Sequence, residues 1–169
     1  MIEIQVNGKI KSEKVRKEFL KNFGVTEQRY QNFLNERLMY FTKRKNLEMV
    51  KEFLEEGANV NHQDEDGRTA LMYAVSFTDT AIMKTLLEFG ADPDIQDESG
   101  FSTIHHAVWC NEEKINVLYL WGGNLELKDK NGDCPHSLAN NFGRIKASQL
   151  ILELKTKNQN EKKIATKVS

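Results

Sequence analysis

Apolar residues recur along this chain at helical spacing and are interrupted by glycines at regular intervals. Ile82, Met83, Leu86 and Leu87 make one stripe, and Met49, Phe53 and Leu54 hold matching positions 33 residues earlier. Tyr30, Phe33, Leu34, Leu38 and Phe41 make a longer stripe, and Leu150, Ile151, Leu152 and Leu154 make the last. Each predicts an amphipathic helix with one buried face. Gly57, Gly90 and Gly122 follow such stripes, where a residue able to take positive φ ends a helix cheaply. Near the start, Ile2, Ile4 and Val6 alternate as in a short strand, and Asn7-Gly8 is a turn pair. Residues 11–23 predict a further helix, with Val15, Phe19, Leu20 and Phe23 on one side. Gly24 stops it and Thr26 caps the next.

The stripes belong to a repeat. Residues 67–74 read Gly-Arg-Thr-Ala-Leu-Met-Tyr-Ala, and residues 100–107 read Gly-Phe-Ser-Thr-Ile-His-His-Ala. A third start, Gly-Asp-Cys-Pro-His-Ser-Leu-Ala, spans residues 132–139. With a period near 33 and a Gly-x-Thr-Pro-Leu-His-x-Ala type of start, the chain resembles an ankyrin-repeat protein. The resemblance implies an all-α repeat solenoid: paired antiparallel helices joined by β-hairpin-like turns. The register gives an N-terminal helical cap over 1–34 and four repeats over 35–66, 67–99, 100–131 and 132–157. A flexible tail over 158–169 is expected, because it is rich in Lys, Asn and Gln. Leu71 and Ile104 should enter the core, and Ala74 and Ala107 should let first helices pack closely. The first repeat lacks the Gly-x-Thr start and the last has His136 at a core leucine position, as terminal repeats allow.

Composition narrows the setting. No apolar run approaches membrane-spanning length, and the opening Met1-Ile2-Glu3-Ile4 lacks the pattern of a secretory signal. Two cysteines, Cys110 and Cys134, are too few for a disulfide framework, so a cytoplasmic protein, monomeric when free, is expected. The net charge of −1 conceals an asymmetry. Residues 1–45 carry 11 Lys/Arg against 5 Asp/Glu, residues 46–133 carry 6 against 18, and residues 134–169 carry 7 against 2. Acidic repeats repel nucleic acid and steer a basic protein surface toward themselves. Asp64, Asp97 and Asp129 occupy the repeat's own turn position and are read as structural, whereas Glu65, Asp66, Glu98 and Asp133 sit at freer turn positions.

Chemistry finds little purchase. His106 and Cys110 share a helical face, but His105 falls at the repeat's own histidine and no second ligand pair has suitable spacing. Asp64-Glu65-Asp66-Gly67 starts like a calcium loop, yet Tyr73 stands where a bidentate glutamate is needed. No phosphate-cradling loop or nucleophile elbow is present. No catalytic residue, metal or cofactor is therefore expected.

The resemblance instead implies a concave binding side built from hairpin tips and the exposed ends of first helices. The tips are Glu65, Asp66 and Arg68, then Glu98, Ser99 and Phe101, then Lys130, Asn131 and Asp133, with Gln63, Gln96 and Lys128 just before the turn aspartates. The first-helix ends contribute Arg44, Phe77, Trp109, Cys110, Asn141 and Phe142. Phe77, Trp109 and Phe142 fall in the two variable positions after the first-helix alanine and predict an apolar strip that a partner covers. Three functional classes stay open: an inhibitor or toxin-immunity module that blocks a partner enzyme, a scaffold or targeting subunit, and an enzyme with its site in the N-terminal segment.

Overall fold

A computed structural model of the chain describes residues 20–22 and 24–168. The strand and turn expected at the N-terminus lie outside the described residues, and of the helix expected over 11–23 only Leu20, Lys21 and Asn22 are described, as helix. The helices that follow form consecutive pairs. They are α1 (Glu27–Lys43) with α2 (Leu47–Glu55), α3 (Ala70–Val75) with α4 (Ala81–Glu88), α5 (Thr103–Ala107) with α6 (Glu112–Leu120), and α7 (Pro135–Asn141) with α8 (Ile145–Val168). The first helices α1, α3, α5 and α7 touch in that order. Behind them, α2 touches α4 and α6 touches α8. Among the described residues no helix is long and apolar enough to cross a membrane.

The stripes become one continuous core. Leu34 and Leu38 of α1, Val50 of α2, Leu71 of α3, Met83 and Leu86 of α4, Ile104 of α5, Ile115 and Leu118 of α6, and Ile151 of α8 are wholly buried. Ala74 and Ala107 are also sealed, because first helices meet over them. No single pair could bury both of its faces, so burial of about 1.5–3 kcal/mol per large side chain accrues only when neighbours stack.

The turns are tied by aspartate. Asp64 Oδ1 accepts from the backbone N–H of Asp66 and Arg68, Asp97 Oδ1 from those of Ser99 and Phe101, and Asp129 Oδ1 from those of Asn131 and Asp133. The structural role expected for these residues is what they have. Successive tips are then bonded: Glu98 N–H donates to the Asp66 carbonyl and Lys130 N–H to the Ser99 carbonyl, at 3.0 and 3.1 Å. Gln63 Nε2 reaches the Gly67 and Gln96 carbonyls, and Gln96 Nε2 reaches those of Gly100 and Lys128. These glutamines are thus rungs between repeats, not contacts left for a partner. Gly67 and Gly100 are required twice over. Both have positive φ, and a Cβ on either would lie under 3.0 Å from the next repeat's backbone.

Asp64 has a second oxygen to spend on its neighbours. Oδ2 accepts from Tyr73 Oη at 2.8 Å and from Lys43 Nζ at 3.2 Å, and the Lys43 ammonium lies 4.2 Å from the Tyr73 ring centre. Burial alone would raise the Asp64 carboxyl's pKa. The hydrogen bonds from Tyr73, Arg68 N–H and Lys43 outweigh it and hold the carboxyl below the usual aspartate range.

Two expectations change. The boundary expected at residue 34 falls inside α1, so the cap and the first repeat share a helix, started by Thr26, whose side chain accepts from Arg29 N–H. The flexible tail expected over 158–169 is corrected as well: α8 continues as helix to Val168. No glycine or proline follows Gly143, and the Lys and Gln of the stretch read as loose are good helix formers. Lys155 Nζ, 2.7 Å from Glu126 Oε1, ties this helix to the preceding repeat.

Helices α1, α2, α4, α6 and α7 end on a left-handed residue, and in one of them it is not glycine. Lys45 N–H donates to the Thr42 carbonyl and Asn46 N–H to that of Phe41, closing α1 with a left-handed residue at φ 58°. Gly57, Gly90, Gly122 and Gly143 fill that role after other helices, so Lys45 is the strained member. Lys45→Gly should therefore stabilise the fold by about 1 kcal/mol, read as a raised urea midpoint at constant m-value. Tyr73→Phe should lower stability at neutral pH by about 1 kcal/mol through the lost Asp64 bond. A depressed carboxylate stabilises above its unfolded pKa and stops doing so as pH falls through its folded one. The deficit of Tyr73→Phe should accordingly shrink below about pH 4, which parallel denaturation series would show.

Candidate functional site

Short first helices bring their C-terminal ends beside the hairpin tips. Asn46, Thr69 and Asn111 cap α2, α3 and α6 through side-chain oxygens, and the Ser102 and His105 side chains form a capping box on α5. With α3 and α5 ending at Val75 and Ala107, the residues that follow are free to face outward.

Around α5 those residues assemble an aromatic cluster. The Phe101 ring stacks on His105, centroids 5.6 Å apart and nearly parallel, and meets His106 edge-on at 5.7 Å. Trp109 lies 5.6 Å from Phe101 and 5.8 Å edge-to-face from Phe142. Trp109 is 39% exposed and Phe142 62%, so the outer side of the cluster meets water. The strip expected from the variable positions is thus present in its second half, with Phe101 added from the tip.

Phe77 does not extend it. Its ring is half-buried against the core, with the Lys45 ammonium 5.0 Å from its centre, and its carbonyl accepts from the buried Lys114 Nζ. Placing it in an exposed row is corrected: the variable positions are shared, but the neighbouring cations and core claim this ring. Cys110 is half-buried and its thiol donates to the His106 carbonyl. Arg44 stays exposed with its guanidinium 4.7 Å from the Tyr40 ring centre.

The tips divide. Glu65, Asp66, Glu98, Ser99 and Asn131 are exposed. Arg68 Nε lies 4.0 Å from Asp97 Oδ2 and its guanidinium 5.9 Å from the Tyr73 ring centre. Asp133 is partly committed, since its carboxylate accepts from Asn141 Nδ2 at 3.2 Å and its carbonyl faces His105 Nε2 at 3.1 Å.

Both histidines are spent on the protein. Ser102 N–H donates to His105 Nδ1, so the proton sits on Nε2 and is donated to the Asp133 carbonyl. Burial pushes the His105 pKa down against the opposing pull of the Asp133 carbonyl and the Asp129 carboxylate. His106 Nε2 lies 2.8 Å from Asp97 Oδ2.

Sequence reasoning missed the residues that hold the cluster in place. Arg144 Nε donates to the Val108 carbonyl, and Nη2 to those of Trp109 and Cys110, at 2.9–3.2 Å. A cation from the last repeat thereby fixes the chain on both sides of Trp109 at the C-terminal end of α5, where carbonyls are unsatisfied. Nothing local marks Arg144 for this. A usable pattern did exist nine residues after each turn aspartate, where Tyr73 and His106 serve Asp64 and Asp97 and Leu138 breaks the series.

A family model described as ankyrin repeats (3 copies) matches residues 17–97 and 38–129, about two thirds of the chain. No curated protein matches the chain significantly. Repeats of this kind are interaction modules that present a surface to another protein, and such proteins are generally not enzymes. The matched span covers the first three helix pairs, the first two aspartate-tied tips, and Phe101 and Trp109 of the aromatic cluster, and this chain belongs to the ankyrin-repeat family.

Proposed function

We propose that this chain, as an N-terminal cap followed by four repeats over 35–157, binds a partner protein through the concave face formed by its tips and first-helix ends. The observation that carries this reading is the Phe101–Trp109–Phe142 cluster, half open to water, with the exposed acid Glu98 on the tip of Phe101 and Glu65 and Asp66 on the tip bonded to it. Exposed aromatics inside a charged rim have the make-up of a binding hot spot. The acidic span 46–133 favours a partner with a basic surface over nucleic acid. A small acidic-faced binder suits an inhibitor or toxin-immunity protein that occupies a partner enzyme in the cytoplasm, itself monomeric when free. The alternative is a scaffold subunit. An enzyme with its site in the N-terminal segment is the weaker reading, since no catalytic motif marks the chain.

Pull-down from the native cell with mass spectrometry separates these readings: one tight enzyme partner supports the inhibitor, several partners the scaffold. Against the partner recovered, Trp109→Ala should cost at least about 2 kcal/mol of binding. Its folding cost should be smaller, about 1 kcal/mol, as for an exposed aromatic contact. Stability lost with affinity intact would remove the aromatic cluster as a binding site. Charge reversal at Glu65, Asp66 and Glu98 should slow association more than it speeds dissociation, and added salt should do the same. An association rate indifferent to ionic strength would exclude a basic partner surface.

A further inference from the structure

The turn aspartates are equivalent in sequence and unequal in surroundings. Asp64 Oδ2 accepts from Tyr73 Oη and Lys43 Nζ. Asp97 Oδ2 has His106 Nε2 at 2.8 Å and Arg68 Nε at 4.0 Å. Each therefore has a donor nine residues on and a cation from earlier in its own repeat. Asp129 has neither. Leu138 stands nine residues on, and the positions of its own repeat that match Lys43 and Arg68 hold Trp109 and Phe101. Asp129 is 6% exposed, its Oδ1 is used by the turn, and its Oδ2 has no hydrogen-bond partner. A buried carboxylate oxygen without a donor is costly, and the two earlier repeats show what normally satisfies it.

We infer that a cationic side chain of the partner, an arginine, completes this third site. The inference rests on the concave face being the binding face. The guanidinium donates to Asp129 Oδ2 in the place that Lys43 and Arg68 take in the earlier repeats. Its plane lies against the Phe101 and Trp109 rings that stand where those cations would be. Arginine fits better than lysine, because a planar, weakly hydrated guanidinium stacks on rings while donating in its own plane. Oδ2 is closed to solvent in the free protein, so entry of the guanidinium needs the side chains over it to move aside. Glu98 is exposed on the tip that carries Phe101, and the half-exposed Asp133 closes the tip that carries Asp129.

The test uses the full chain, labelled with nitrogen-15 and titrated with an end-blocked Gly-Gly-Arg-Gly-Gly peptide. Lysine and glutamine peptides serve as controls. The arginine peptide should shift the Trp109 indole N–H and the amides of Asn131 and Asp133, with the lysine peptide weaker and the glutamine peptide silent. Asp129→Asn keeps the turn acceptor and should weaken the arginine response about tenfold, as loss of a charged hydrogen bond does. Phe101→Arg supplies the missing cation from within the chain and should raise the melting temperature while abolishing the response. An Asp129→Asn chain that binds as the wild type does would mean that water serves the oxygen, and would overturn the inference. Shifts centred on Glu65 and Asp66 would do the same. If Asp129→Asn does not fold, Phe101→Arg decides alone: an unchanged peptide response refutes the site. The two readings fail separately. A native partner indifferent to Trp109→Ala, with the peptide still dependent on Asp129, would sink the concave-face reading only. A partner weakened by Trp109→Ala but not by Asp129→Asn would sink the arginine site only.

Discussion

Asp64, Asp97 and Asp129 each bind two backbone N–H groups of their own hairpin through one oxygen and turn the other toward the stack. The first of these acts makes a rigid tip out of a few residues that have no other means of ordering themselves. The second joins that tip to the body: to Tyr73 and Lys43 in one case, to His106 and Arg68 in the next. Helices of five or six residues, such as α3 and α5, would not persist alone in water. They persist here because the aspartate turn and the side-chain cap fix their starts, and because burial on the adjacent helices fixes their faces.

The stack is directional, and the bonds between repeats show it. Gly67 and Gly100 have no Cβ because the next tip lies against them, whereas a Cβ on Gly132 would meet nothing within 4 Å. The glutamine rungs run from Gln63 to Gln96 and from Gln96 to the Lys128 carbonyl, where lysine succeeds glutamine. Cations work in the other direction. Lys114 reaches back to the Phe77 carbonyl and Arg144 to the carbonyls around Trp109, each closing the open end of an earlier first helix. The region around Trp109 is thus held by the repeat after it. A binding surface made of short loops gains rigidity from this arrangement, which lowers the entropy lost when a partner orders them.

The same geometry explains why equivalent positions differ in use. In the first half of the molecule, cations near the tips are engaged by rings and carboxylates: Lys43 by Tyr73 and Asp64, Lys45 by Phe77, Arg44 by Tyr40. In the second half the position that matches Lys43 holds Trp109, whose aromatic cluster is half open to water. The face therefore changes character along its length, from self-satisfied pairs to an apolar cluster beside an unpartnered carboxylate.

The repeat itself was legible because its causes are local. Glycines with positive φ, an aspartate that bonds two and four residues ahead, and apolar residues at helical spacing each act within a few residues, so they recur visibly in the letters. Leu71, Ile104, Ala74 and Ala107 fell into the core as their register required. The candidate site was legible in part. Trp109 and Phe142 stand together at the variable positions, but Phe77 does not join them, since Lys45, Lys114 and the core decide its environment. Arg144 and the unserved oxygen of Asp129 were beyond reach. Each depends on which atom of one repeat arrives beside another some 20 to 36 residues away, and that distance is set by the stacking, not by the chain. The tail shows the converse limit: composition alone does not separate a solvated loop from a solvated helix, and α8 runs on to Val168 because the preceding turns are already fixed by packing and nothing in the sequence stops it.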